Sequence, residues 1–167
     1  MKGEDIMNQK AKLWIFRIAS WTLFLGWGII CVILSKQDGS GSSSVSASLT
    51  RFIMRVMNRF GFHPSWSTLH AVVRESAHFG IHFILALLAG LAFGSATLSV
   101  WLSLGFAFIV TIPLATFDEF VQLSSRGRAF EYFDLELNLA GVLTGLLIAT
   151  CLLAITLSRL RAKNPNP

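Results

Sequence analysis

The densest group of ionisable and amide side chains begins at Asp118, directly after a long apolar run. Asp118 and Gln122 lie four residues apart, so on a helix they share one face, with Glu119 beside them. The group continues with Arg126-Gly127-Arg128, Glu131, Asp134, Glu136 and Asn138. Carboxylates opposite Arg126 or Arg128 at the edge of an apolar span predict a buried polar network, because isolated charges there are costly.

A second group precedes the same apolar run. Arg74, His78 and His82 are each four residues apart, which places them on one helical face. Two acidic helix ends that faced this Arg/His helix end would neutralise it. We therefore expect the two groups to meet in the folded protein.

The two histidines raise the question of a metal site. His78 and His82 have a spacing that a metal ion could use, and Glu75, Asp118 or Glu119 could complete the coordination. The chain has no His-Glu-x-x-His motif, however, so we favour histidines that are only hydrogen-bonded. The sequence predicts no metal and no other cofactor.

Small residues follow the acidic group on the same helical stripe. Asp134 and Asn138 lie in line with Gly141 and Gly145. Two glycines four residues apart allow the backbone of another helix to approach closely. We interpret Gly141 and Gly145 as helix-packing positions within the bundle, and homodimerisation is the alternative.

The composition indicates the environment of these groups. The chain is 53% hydrophobic and only 14% charged, with a mean hydropathy of +0.61, which is typical of a membrane protein. The formal net charge of +5 suits anionic lipid headgroups. The basic residues are scattered and no stacking or phosphate-binding motif accompanies them, so no nucleic-acid partner is predicted.

Apolar runs define the crossings. One run spans residues 13–34, and residues 83–117 contain no charged side chain. As one helix, the second run would be roughly 52 Å long, against a hydrocarbon core of roughly 30 Å. It must therefore form two crossings, joined near residues 94–97. The predicted helices are 13–34, 77–94, 97–118 and 136–158.

The first loop should be structured only in part. The Ser/Gly-rich stretch 35–48 is typical of a flexible connector. Residues 49–62 carry apolar side chains at helical spacing, flanked by Arg51, Arg55 and Arg59, which indicates an interfacial helix that ends at His63-Pro64. The expectation is one all-α domain over 1–167, with four transmembrane helices and this amphipathic helix.

Four crossings place both termini on one side and both polar groups on the other. Lysines and arginines do not decide the orientation, because the termini with Arg17 hold seven and the two polar loops also hold seven. We assign the termini to the cytoplasm, since the tails are simple flanks whereas three loop arginines belong to the interfacial helix. The polar site would then face outward.

The pattern Asp118-Glu119-x-x-Gln122, Gly127-Arg128, Asp134, Asn138, Gly141 and Gly145, preceded by Ala77-His78-Phe79, resembles the VanZ-like membrane proteins. The Ser-rich first loop and the four crossings fit that family too. The resemblance implies a multi-pass protein associated with reduced susceptibility to teicoplanin-type lipoglycopeptides. Two positions depart from the family pattern, because Ile81-His82 replaces an acidic-aromatic pair and Arg126 replaces a proline.

We interpret the chain as a non-enzymatic cell-membrane protein that binds an amphiphile: a membrane lipid, a lipid-linked cell-wall precursor or a lipoglycopeptide tail. Arg74, His78 and the acidic group would shape the site. The alternative is an intramembrane enzyme on a lipid-linked envelope substrate, with Glu119 or His78 as general base. No nucleophile elbow or phosphate-binding loop supports an enzyme. A purely structural ion-pair network also remains open.

Overall fold

A computed structural model of the chain describes residues 2–37, 39–124, 127 and 130–163. Within these ranges the chain forms five helices and no strand, which confirms the predicted all-α fold. The helices are α1 (Lys2–Ser35), α2 (Gly39–Arg59), α3 (Trp66–Thr97), α4 (Val100–Gln122) and α5 (Tyr132–Lys163).

Four of these helices are long and apolar enough to cross a membrane. The candidate spans are Lys10–Ser35, Trp66–Thr97, Val100–Gln122 and Tyr132–Arg159. Large apolar side chains cover their outer surfaces, and Ile15 and Ile109 are each more than 60% exposed. Because water would penalise such a surface and lipid would not, the chain is a membrane-embedded protein.

Helix α3 lies at the centre of the bundle and packs against each of the other four helices. The interior contains many small residues beside larger ones such as Leu85, and the fully buried small residues include Ala86, Ala89, Ala107 and Ala115. Small side chains let helices approach closely, and van der Waals contact is the main attraction between helices in lipid.

The closest approach is between α3 and α5. A Cβ added to Gly141 would overlap the carbonyl oxygen of Phe79, and one added to Gly145 would overlap the carbonyl oxygen of Phe83. The backbones of the two helices are therefore in direct contact along one side of α5. Neither position has room for a larger residue.

The first loop is more helical than the sequence suggests. The stretch 35–48 was expected to be a flexible connector, but α2 begins within it at Gly39. Serine and threonine hydroxyls bond to carbonyls one turn earlier, as Thr50 does to Ser46 at 2.7 Å, and Thr50 is fully buried where α2 packs on α3. Tertiary packing thus outweighs the weak helix propensity of serine and glycine.

The ends of the helices also differ from the expected bounds. Helix α2 ends at Arg59, and the chain turns at Gly61, whose φ is +81°, before it reaches His63-Pro64. Helix α3 continues through the expected turn at 94–97 and is capped by Leu98 in a left-handed conformation. Gly94 packs against Leu153 of α5 instead of forming the turn.

Polar side chains also join the helices away from the acidic group. Arg17 donates hydrogen bonds of 3.1 and 2.9 Å to the carbonyl oxygen of Ser95, near the C-terminal end of α3. A cation is favourable there because the helix dipole is negative at that end. In the bundle, Trp27 donates to the carbonyl of Ile81 and Ser103 donates to that of Gly90.

The contact between α3 and α5 can be tested with Gly141→Ala. The added methyl group must push the helices apart, which should lower the free energy of unfolding in detergent by about 1–3 kcal/mol. Gly105→Ala is the matched control, because among the described residues nothing lies within 4 Å of its added Cβ. That variant should be neutral or more stable by up to about 1 kcal/mol. Equal stability of the two variants would contradict the close contact.

Candidate functional site

The topology brings four helix ends to one edge of the bundle. Because successive spanning helices are antiparallel, the ends of α1 and α4 meet the beginnings of α3 and α5. The side chains that gather there are called the polar cluster, and they are Ser35, Arg74, His78, His82, Asp118, Glu119, Gln122, Glu131, Asp134 and Asn138.

Asp118 connects three helices within the polar cluster. Its Oδ1 accepts a hydrogen bond from the Ser35 hydroxyl of α1. Its Oδ2 lies 3.3 Å from Nε2 of His82 on α3 and accepts from Gln122 of its own helix at 3.2 Å. The carboxylate therefore joins α1, α3 and α4 at this edge.

Glu119 and Asn138 connect α4 to α5. Both side chains are fully buried. The Asn138 amide donates to Oε1 of Glu119 at 3.0 Å and points toward Oδ2 of Asp118 at 3.5 Å. The Gln122 amide donates to the same Glu119 oxygen at 3.2 Å. Two side-chain amides thus hold two adjacent carboxylates.

His78 lies at the centre of the polar cluster, and both ring nitrogens face acceptors. Nδ1 is 3.2 Å from Oδ1 of Asn138 and 3.7 Å from Oε1 of Glu119. Nε2 is 3.4 Å from Oδ2 of Asp134. This arrangement suits an imidazolium, or an imidazole whose second nitrogen binds a cation.

Arg74 lies at the outer rim. Its guanidinium donates two parallel hydrogen bonds to Glu131, of 3.3 and 2.9 Å, and one nitrogen lies 3.8 Å from Asp134. Both Arg74 and Glu131 are exposed by more than a third, so the pair contributes little to stability. It does place a cation beside the buried Asp134.

The structure brings together Arg74, His78, Asp118, Glu119, Gln122, Glu131, Asp134 and Asn138, while Arg128 lies outside the described residues. Gly141 and Gly145 lie on α5 against the backbone of α3. The functional role of each residue stays a prediction.

One residue of the polar cluster was not predicted. Ser35, at the end of α1, gave no signal beyond its place at the start of a Ser-rich stretch, yet it contacts Asp118. The four-residue spacing placed His82 on the helical face of Arg74 and His78, and the structure shows its contact to be Asp118.

Two cavities meet at Asp118. One, of about 150 Å³, is lined by residues of α1, α2, α3 and α4, and polar side chains such as Arg74, His78 and Gln122 reach into it although most of its surface is apolar. The other, of about 200 Å³, is a mostly apolar cleft between α1 and α4, lined by residues such as Leu114, Phe117 and Val121. Cys31, Ser35, His82 and Asp118 line both. We call them the polar cavity and the apolar cleft.

Some buried polar atoms lack a partner. Among the described residues, Nδ1 of His82, Oε2 of Glu119 and Oδ1 of Asp134 are buried without a hydrogen bond. Such groups are costly and are rare in folded proteins. One donor atom each from His78, Asp118 and Glu119 lie within 4.8 Å of one another, close enough to share a metal ion. The arrangement can therefore hold a proton, a cation or a small polar group.

Asn138 is the part of this network whose loss is most easily measured. Asn138→Leu keeps the branched shape of the side chain but removes one of the two amide donors to the buried Glu119, so the loss should cost about 1–3 kcal/mol of unfolding free energy. Thr144→Val, farther along α5, removes only a local bond to the Ala140 carbonyl and should change stability by less than about 0.5 kcal/mol. Thermal unfolding in detergent compares the two, and equal losses would contradict the network.

The comparisons with known proteins agree with the motif. A family model described as VanZ/LLP1 matches residues 20–154, which is most of the chain and includes every described residue of the polar cluster. Neither the comparison with curated proteins nor that with solved structures found a match. The family match confirms the resemblance seen in the sequence, and the chain belongs to the VanZ/LLP1 family.

Proposed function

We propose that this VanZ-like membrane protein binds an amphiphile, whose polar group enters the polar cavity while its apolar chain lies in the apolar cleft. The observation that carries the proposal is the meeting of the two cavities at Asp118. A molecule with one polar and one apolar part would use both at once. A purely polar, water-soluble ligand would fill only the polar cavity and leave the apolar cleft empty.

The polar cavity offers both donors and acceptors. Arg74 donates, Asp118 accepts, and the Gln122 amide and the His78 ring can do both. Its volume of about 150 Å³ is below the roughly 300–1,000 Å³ of pockets that enclose a drug-sized ligand. The cavity therefore suits one small polar group of a larger molecule.

The apolar cleft suits an acyl or prenyl chain. Its walls are mostly apolar side chains of α1 and α4, such as Val32, Leu114 and Phe117, and Lys36 is also in its lining. The lining residues recur about one turn apart along α1 and along α4, so an alkyl chain could lie along these two helices. The lysine ammonium would favour an anionic group next to that chain.

A lipoglycopeptide tail or a lipid-linked cell-wall precursor fits this chemistry, as does a membrane lipid. With both termini in the cytoplasm, the polar cluster would open to the outer surface, where such molecules are met. The exposed Arg51, Arg55 and Arg59 of α2 would attract an anionic surface beside the cavity. Binding of the acylated drug or of its target would lower susceptibility to teicoplanin-type antibiotics.

The proposal predicts a selective change in antibiotic susceptibility. Cells that express the protein should need at least a twofold higher teicoplanin concentration for growth inhibition than cells with an empty vector. An unacylated glycopeptide should show a smaller change, because it has no chain for the apolar cleft. Asp118→Asn should remove the difference, since it weakens the contacts with Ser35 and His82.

Glu136→Gln is the matched control, because Glu136 is an exposed carboxylate on α5 outside both cavities. This variant should behave like the unchanged protein when membrane levels, measured by immunoblot, are equal. An unchanged response to both drugs would remove the antibiotic part of the proposal. An equal loss in Glu136→Gln would remove the assignment to the polar cavity.

If the protein binds its amphiphile without modifying it covalently, a further prediction follows. Mass spectrometry of envelope lipids from cells with and without the protein should show the same covalent species. His78→Gln cells should match both, because no catalysed step depends on the imidazole. A modified lipid that disappears with His78→Gln would contradict the binding proposal and support an intramembrane enzyme on a lipid-linked substrate.

A further inference from the structure

The geometry points to a divalent metal site of the zinc type, formed by His78, Asp118 and Glu119. One donor atom from each residue lies within 4.8 Å of the others, and Nδ1 of His78 is 3.7 Å from Oε1 of Glu119. Ligand atoms about 2.1 Å from a tetrahedral zinc ion are roughly 3.4 Å apart. Small side-chain rotations would therefore complete the coordination.

The surroundings are those of a metal site. A histidine that binds a metal through one nitrogen usually donates its other N–H to a carboxylate, which fixes the ring. Nε2 of His78 faces Oδ2 of Asp134 at 3.4 Å, in the position for that bond. The carboxylates of the site are in turn held by the amides of Asn138 and Gln122.

Charge provides a second argument. Asp118, Glu119 and Asp134 place three carboxylates around His78, and all three side chains are less than 15% exposed. Among the described residues, Arg74 is the arginine in this cluster, and its closest partner is Glu131 at 2.9 Å. A divalent cation would offset the charge of these described carboxylates, and it could be bound by Oε2 of Glu119, which has no hydrogen-bond partner among the described residues.

Three protein ligands leave one position of a tetrahedral ion free. His78 and Asp118 line the polar cavity, so that position could be taken by water or by an oxygen of a bound polar group. The mixed nitrogen and oxygen donors suit zinc or cobalt, whereas magnesium prefers oxygen alone. The metal site goes beyond amphiphile binding and does not depend on it.

The experiment uses the full chain, purified in detergent with a tag that contains no histidine and dialysed against Zn²⁺ and then against metal-free buffer. Elemental analysis should find about one zinc ion per chain. After the same treatment with Mg²⁺, it should find no retained magnesium. His78→Ala and Glu119→Gln should each weaken zinc affinity by at least tenfold. His70→Ala and Glu136→Gln, which alter a histidine and a carboxylate outside the site, should bind as the unchanged protein does.

A second readout covers variants that fold poorly. The chain for this test carries Cys31→Ser and Cys151→Ser. Co²⁺ bound to its His78→Cys variant should show the thiolate-to-cobalt absorption band, and adding Glu119→Gln should weaken that band. Equal zinc retention by all variants would overturn the site. So would a folded, unchanged protein that binds no zinc, or a folded His78→Cys variant that shows no cobalt band. Amphiphile effects on susceptibility would persist in those cases, which separates the two proposals.

Discussion

The polar cluster depends on the direct contact between the backbones of α3 and α5. Asn138 precedes Gly141 by one turn, and His78 adjoins Phe79, whose carbonyl lies against Gly141. Only because the two helices touch can the His78 ring approach Asn138 to 3.2 Å and Asp134 to 3.4 Å. A side chain at Gly141 would separate the helices and with them the groups that meet above the contact.

A cluster of this kind is expensive in a membrane. Buried ionisable groups often add little net stability even when they are paired, because desolvation offsets their attraction. Here the pairing is also incomplete, since described carboxylate and imidazole atoms stay without partners. The bundle already has an alanine- and glycine-rich interior that holds it together. This cost is the reason for proposing that the polar cluster binds a ligand.

The sequence predicted the parts of the site that follow from helical spacing and topology. Four-residue spacing placed Arg74 with His78 and Asp118 with Gln122, and four crossings brought both pairs to one edge. The role of α1 could not be predicted in this way, because a helix that is apolar on every side does not reveal its rotation. Ser35 and the two cavities depend on that rotation. The helical start of α2 depends on packing against α3, which a local pattern does not contain.

Photo-crosslinking tests the central claim, that a polar amphiphile occupies the cavities beside α1. A benzophenone amino acid would replace Leu34, which lines the polar cavity, or its neighbour Ile33, which is exposed and lines neither cavity. After irradiation of intact cells, mass spectrometry would identify the adducts. We predict that position 34 captures one lipid-linked or acylated species that position 33 does not enrich. The same bulk lipids at both positions would contradict the account.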